Sequence, residues 1–80
     1  MSENNERLKT LLLDIFMMPE SDYKDGNGPD DIENWDSLAT VSMAVGVQEE
    51  FSHHMTPEEV SEIKSIGDIK TFLVKNGISF

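Results

Sequence analysis

The sequence predicts an all-α fold: a small four-helix bundle with a short third helix and a long loop after the first. Three observations carry this. Apolar residues recur at helical spacing near the N-terminus, in the middle and near the C-terminus. Helix-start chemistry stands at Asp36-Ser37, at Thr56-Pro57 and at Ser65-Ile66. No stretch alternates apolar and polar residues as a half-buried strand does. There is no internal repeat and no linker, so residues 1–80 read as one domain near the lower size limit for a self-sufficient core.

The elements follow in order. Leu8, Leu11, Leu12 and Ile15 stand at i, i+3, i+4 and i+7 and define the first helix, which Pro19 ends near Met17 or Met18. A long connection, residues 19–35, contains Asp25-Gly26-Asn27-Gly28-Pro29-Asp30-Asp31, which has turn chemistry throughout. Loops of that length are usually functional or mobile. Ile32 and Trp35 are its apolar members and are expected to pin it to the bundle. The second helix spans Ser37 to Phe51, with Met43, Val47 and Phe51 at i, i+4, i+8 and Ala44 beside them on one apolar face. Gly46 inside it costs about 1 kcal/mol relative to alanine; it reads as a close helix contact, a bend or a tolerated defect. Thr56 as N-cap, Pro57 at the first helical position and Glu59 as the reciprocal partner form a capping box for a short third helix, residues 57–63. Ser65-Ile66-Gly67-Asp68 repeats the capping logic, and the last helix runs to Lys75 with Asn76-Gly77 as its stop. Ile66, Ile69, Phe72 and Leu73 face inward.

Composition narrows the function. Six basic against sixteen acidic residues give a net charge of −10. That excludes the basic footprint of a nucleic-acid binder and disfavours anionic membrane surfaces. It favours steering towards basic patches on partner proteins, or serves only as a solubilising surface. With no cysteine there is no disulfide, no thiolate metal site and no thiol of the chain's own for thioester chemistry. The N-terminal residues lack the basic n-region of a signal peptide, and residues 11–18 are apolar but short and interrupted by Asp14, so the cytoplasm is the expected location and no membrane insertion is expected.

Trp35-Asp36-Ser37-Leu38 places one serine between the acidic loop and the second helix. Asp36 or Ser37 is the N-cap, and the Ser37 hydroxyl is expected to sit exposed at a helix end. Free N–H groups and the positive dipole there tolerate a phosphate. Ser37 therefore reads either as a plain cap, which position alone favours, or as the attachment point of a phosphorylated group.

Asp36-Ser37-Leu38-Ala39-Thr40-Val41, then Glu49-Glu50-Phe51, Met55-Thr56-Pro57-Glu58-Glu59-Val60 and Ile66-Gly67-Asp68-Ile69 resemble, in order and spacing, the acyl carrier protein family. With the first helix the likeness covers nearly all of the chain. The resemblance implies a bundle of acyl-carrier type and a carrier that is not an enzyme, with no catalytic residue. It implies a 4′-phosphopantetheine, taken from coenzyme A by a phosphopantetheinyl transferase and attached to Ser37. Acyl groups would ride on it as thioesters between enzymes of a fatty-acid, polyketide or cell-envelope lipid pathway. Asp36 would help the transferase recognise the site and Leu38 would add an apolar contact. Val41, Glu49, Glu50, Glu58 and Glu59 would meet acyl-loading ligases or transferases and condensing enzymes with basic docking patches. Met43, Val47, Phe51, Val60, Ile63 and Phe72 are first of all core, and would also accept an acyl chain. The chain starts at Met1 and stops just after the last helix, as a free-standing monomeric carrier would.

Three departures from the family pattern point to a specialised carrier. Ala39 and Ser42 stand where the family often has acids, and Gln48 thins the acidic run. Trp35 replaces the small residue usual before Asp-Ser-Leu. The loop after Pro19 is unusually rich in Gly and Asn. The Gly-Gly-His-Ser-like context of peptidyl carriers is absent, while an aminoacyl cargo stays open. The residues also allow a non-covalent acidic helical module that binds a partner helix, or a small hydrolase using Ser37 with His53 or His54. The serine-hydrolase elbow is missing. Residues 22–33 fail as a calcium loop, because Lys24 and Asn27 fall where a carboxylate and a glycine are needed. Adjacent His53-His54 supplies no metal set, so no metal is expected.

Overall fold

The computed structural model describes residues 3–80. It comprises α1 (Glu3–Phe16), α2 (Ser37–Phe51), α3 (Pro57–Glu62) and α4 (Ile66–Lys75), and no strand occurs among the described residues. Met1 and Ser2, which the expected domain includes, lie outside them.

The first helix buries Leu8, Leu12 and Phe16, an i, i+4, i+8 row that extends the expected stripe by one turn. Leu11 and Ile15 are half-buried beside the core. They lie against Gly46 of α2: a Cβ built there would come within 2.9 Å of Leu11 Cδ1 and 3.0 Å of Ile15 Cδ1. Gly46 is therefore a close helix contact. The helix stops one residue earlier than expected, because Met17 takes a left-handed φ of 47° and turns the chain before Pro19 is reached. Met18 then folds back into the core, and its N–H donates to Leu13 O. A single 3-10 turn at Glu20–Asp22, which no pattern in the sequence announced, opens the loop.

The loop is tied down by backbone. Ile66 N–H donates to Asn27 O at 2.9 Å and Gly67 N–H to Asp25 O at 2.8 Å. Two of the donors that every helix N-terminus leaves over are thus satisfied on α4. Gly28 is buried against the α3–α4 junction, where a Cβ would stand 2.0 Å from Lys64 O. Ile32 and Trp35 are buried, and Trp35 stacks on Phe16 with ring centroids 4.5 Å apart. Half-buried Tyr23 donates to Asn5 Oδ1, and burial pushes its phenol above the ordinary value.

Met43, Val47 and Phe51 are buried on α2, as expected, and Ile66, Ile69, Phe72 and Leu73 on α4. Ser52 ends α2 in a left-handed conformation, φ 62°. The capping box on α3 is complete: Thr56 Oγ1 accepts from Glu59 N–H, and Glu59 Oε1 accepts from Thr56 N–H. The helix ends at Glu62 rather than Ile63, since Ile63 turns to extended backbone and drops into the core. Ser65 caps α4 by accepting from Asp68 N–H.

The two loop glycines separate sterics from chain freedom. Gly28→Ala should lose about 1–3 kcal/mol in urea unfolding, because the added methyl meets rigid backbone. Gly26→Ala meets nothing within 4 Å and should change stability by less than about 0.5 kcal/mol.

Candidate functional site at the start of α2

The cap of α2 is Asp36. Its backbone is extended (φ −117°, ψ −174°) and its Oδ1 accepts from Ala39 N–H at 2.8 Å. Asp36 O accepts from Thr40 N–H and from Thr40 Oγ1–H. Ser37 is the first helical residue, so the choice between the two residues resolves to Asp36. The Ser37 hydroxyl is exposed and makes no hydrogen bond among the described residues. The Ser37 and Leu38 N–H groups also find no acceptor there, which leaves the positive end of a 15-residue helix beside that hydroxyl. Buried Trp35, two residues back, fixes where the exposed serine emerges.

Ser37 lies on the rim of an open cleft between α2 and α3 with a volume of about 820 Å³. Val41, Ala44, Val45, Met55, Val60 and Ile63 supply its apolar wall. Of the residues expected to meet an acyl chain, Val60 and Ile63 line this cleft. Met43, Val47, Phe51 and Phe72 do not, because they are packed into the core.

The residues expected to meet partners differ in how free they are. Val41 and Glu49 are exposed. Glu50 is taken: Arg7 Nε donates to its Oε1 at 2.8 Å, Arg7 Nη2 donates to its carbonyl oxygen, and the guanidinium lies 4.7 Å from the Phe51 ring centroid. Glu59 is half committed to the capping box, while Glu58 is exposed. No local pattern announces the Arg7 clamp, which joins residues 43 positions apart.

His54 Nδ1 is 2.9 Å from Gln48 Oε1, and no hydrogen bond joins either histidine to Ser37. Among the described residues no three His, Asp or Glu side chains gather to hold a metal ion. No described helix is long and apolar enough to cross a membrane.

A four-helix chain with a free serine at the start of its second helix and a cleft beside it has the form of a carrier. Comparison with known proteins gives the family. The chain is 32% identical over 79 residues to an acyl carrier protein of Rhodopseudomonas palustris (strain BisB18), covering 99% of this chain and 100% of the relative. It is 32% identical over 80 residues to those of Bradyrhizobium sp. (strain ORS 278) and Nitrobacter hamburgensis, with the same coverage. A solved structure of a candidate acyl carrier protein from Mycobacterium tuberculosis superposes with a TM-score of 0.78 at 18% identity, over 89% of this chain and 95% of that one, which supports the fold. No family model matches. The chain belongs to the acyl carrier protein family, and it is a carrier rather than an enzyme.

Asp36→Ala should cost about 1 kcal/mol in urea unfolding through the lost cap. Ser37→Ala should leave stability within about 0.5 kcal/mol of the parent. Equal losses would return Ser37 to a capping role.

Proposed function

We propose that Ser37 carries a 4′-phosphopantetheine and that the chain delivers acyl groups between enzymes of a dedicated lipid or polyketide pathway. The observation that carries this is the exposed Ser37 hydroxyl, free of hydrogen bonds at the start of α2 in a chain of this family. The residues present fit the group. A phosphodiester on Ser37 Oγ would lie beside the unpaired Ser37 and Leu38 N–H groups and the helix dipole. When bound, the group supplies the thiol that a cysteine-free chain lacks, and with it thioester linkage to an acyl cargo.

Loading needs a transferase and coenzyme A. Ser37 Oγ attacks the pyrophosphate phosphorus nearer the pantetheine; an Oγ–P bond forms, the P–O bond to the adenosine-bearing phosphate breaks, and the hydroxyl proton passes to the transferase. Asp36 holds the helix start through that exchange without using Ser37, and Leu38 stands exposed as a contact. Glu49 and Glu58 are the freer acids for basic groups on loading and condensing enzymes. The cleft at Val60 and Ile63, rather than the packed core, is where a bound chain would lie. The carrier works as a single monomeric domain in the cytoplasm. Specialisation rests on Ala39, Ser42 and Gln48, which leave α2 without acids before Glu49.

Intact mass tests this. Incubation with coenzyme A and a broad-specificity phosphopantetheinyl transferase should add one phosphopantetheine to the parent chain and none to Ser37→Ala. An unmodified parent that is folded by circular dichroism would sink the reading.

A further inference from the structure

The cleft beside Ser37 has a direction. Ser37, Val41, Ala44 and Gln48 stand at i, i+4, i+7 and i+11 on α2, one row along the side that lines it. Between the ends of the row the wall is apolar, with Val60 and Ile63 facing Val41 and Ala44. At the end away from Ser37 the row meets His54, whose Nδ1 is 2.9 Å from Gln48 Oε1.

That polar end has defined hydrogen-bonding chemistry. A glutamine side-chain oxygen only accepts, so His54 Nδ1 carries the proton and donates to it. On a neutral imidazole Nε2 is then an acceptor, and it has no partner among the described residues. The Gln48 side-chain N–H groups have none there either. Two side chains that hold each other in place thus offer the cleft one donor and one acceptor.

Length connects this pair to Ser37. At about 1.5 Å rise per residue, Gln48 lies about 16 Å along the helix from Ser37. A phosphopantetheine arm has about thirteen bonds from phosphorus to sulfur and reaches about 15 Å when extended, at the 3.3–3.6 Å per three bonds of an extended chain. Laid along the row from Ser37, its sulfur comes level with Gln48. The arm then takes the apolar stretch, and the first carbons of an acyl group fall at Gln48 and His54. Past them stand exposed Glu49 and Ser52, while Val47 and Phe51 are closed into the core. A long aliphatic chain finds no apolar cover there.

We infer that Gln48 and His54 recognise a short acyl thioester with a hydrogen-bond donor on its third carbon, a hydroxyl or an amino group. Gln48 N–H donates to the thioester carbonyl, and His54 Nε2 accepts from the donor on the cargo. The inference rests on the carrier reading and adds the class of cargo.

The probe is the full chain loaded by a broad-specificity phosphopantetheinyl transferase from butyryl-, 3-hydroxybutyryl-, β-alanyl- or octanoyl-coenzyme A, with loading checked by intact mass. Urea unfolding is run at about pH 8, above the range in which imidazole ordinarily titrates. The 3-hydroxybutyryl form, the β-alanyl form or both should have an unfolding constant about threefold below that of the butyryl form, the effect of one exposed hydrogen bond. His54→Leu should erase the difference and His53→Leu should keep it. Forms are compared within each variant, so a general loss of stability in His54→Leu cancels. The imidazole nitrogen NMR signals of His54 should differ between the butyryl form and the stabilised form, while those of His53 stay in place. Stabilisation by only one of the two donor-bearing groups supports the inference and identifies the donor as hydroxyl or amine. Equal unfolding constants for all three short-chain forms, a difference that survives His54→Leu, or an octanoyl form more stable than the others would overturn the inference and leave the carrier reading intact. A parent that takes up no phosphopantetheine removes the carrier reading itself.

Discussion

The arrangement depends on one backbone contact, the passage of the long loop across the junction of α3 and α4. At Gly28 the loop comes so near Lys64 O that no side chain fits between them. Just before that point, Asp25 O and Asn27 O take the first N–H groups of α4. Buried backbone groups must find partners, so the loop and α4 satisfy each other and neither can shift alone. Four residues beyond Gly28 the chain drives Ile32 into the core, and Trp35 follows onto the Phe16 ring. Asp36 then has its position set by Trp35 before it and the α2 N–H groups after it. Ser37 is exposed, yet it emerges from a segment anchored at both ends.

Charge is distributed in keeping with that frame. Three of the six basic residues bridge parts of the chain that local structure does not connect: Arg7 joins α1 to the end of α2, Lys9 joins α1 to Glu20 in the loop, and Lys70 joins α4 to Asp25. Hydrogen bonding between Lys9 and Glu20 holds the ammonium pKa up and the carboxyl pKa down, so each keeps its charge more firmly. Exposed pairs of this kind contribute little to stability individually. On a chain with a net charge of −10 they also relieve repulsion where segments meet. Most of the surplus acids are left in solvent, and the middle of α2 carries none.

Much of the fold was legible in the sequence because helix ends are written in local chemistry. Thr56, Pro57 and Glu59 specify the start of α3 through contacts within four residues, and Ser65 with Asp68 does the same for α4. The row Met43, Val47, Phe51 is equally local, a matter of period alone. What escaped was set by tertiary packing. Phe16 and Met18 are buried because Met17 reverses the chain, and no pattern marks a methionine for positive φ. Arg7 reaching Glu50, and a glycine pressed on Lys64, require the folded chain to bring remote residues together. At the site the serine was legible, but the division of labour between Asp36 and Ser37 was not, since either residue type caps helices.

That division bears on what the serine can tolerate. A capping serine uses its oxygen as the acceptor for an N–H group, and any group attached to that oxygen competes with the cap, which contributes about 1 kcal/mol. Here Asp36 does the capping, so the Ser37 oxygen can change without touching a hydrogen bond. A phosphodiester at that point gains about 0.3–1 kcal/mol from the helix N-terminus. It is opposed by the Asp36 carboxylate, whose repulsion a few ångströms away in water is about 1 kcal/mol before screening by salt. The two effects nearly cancel. The helix start would therefore be about equally stable with a free or a substituted serine, so the proposed loading of Ser37 would demand no rearrangement of the folded chain.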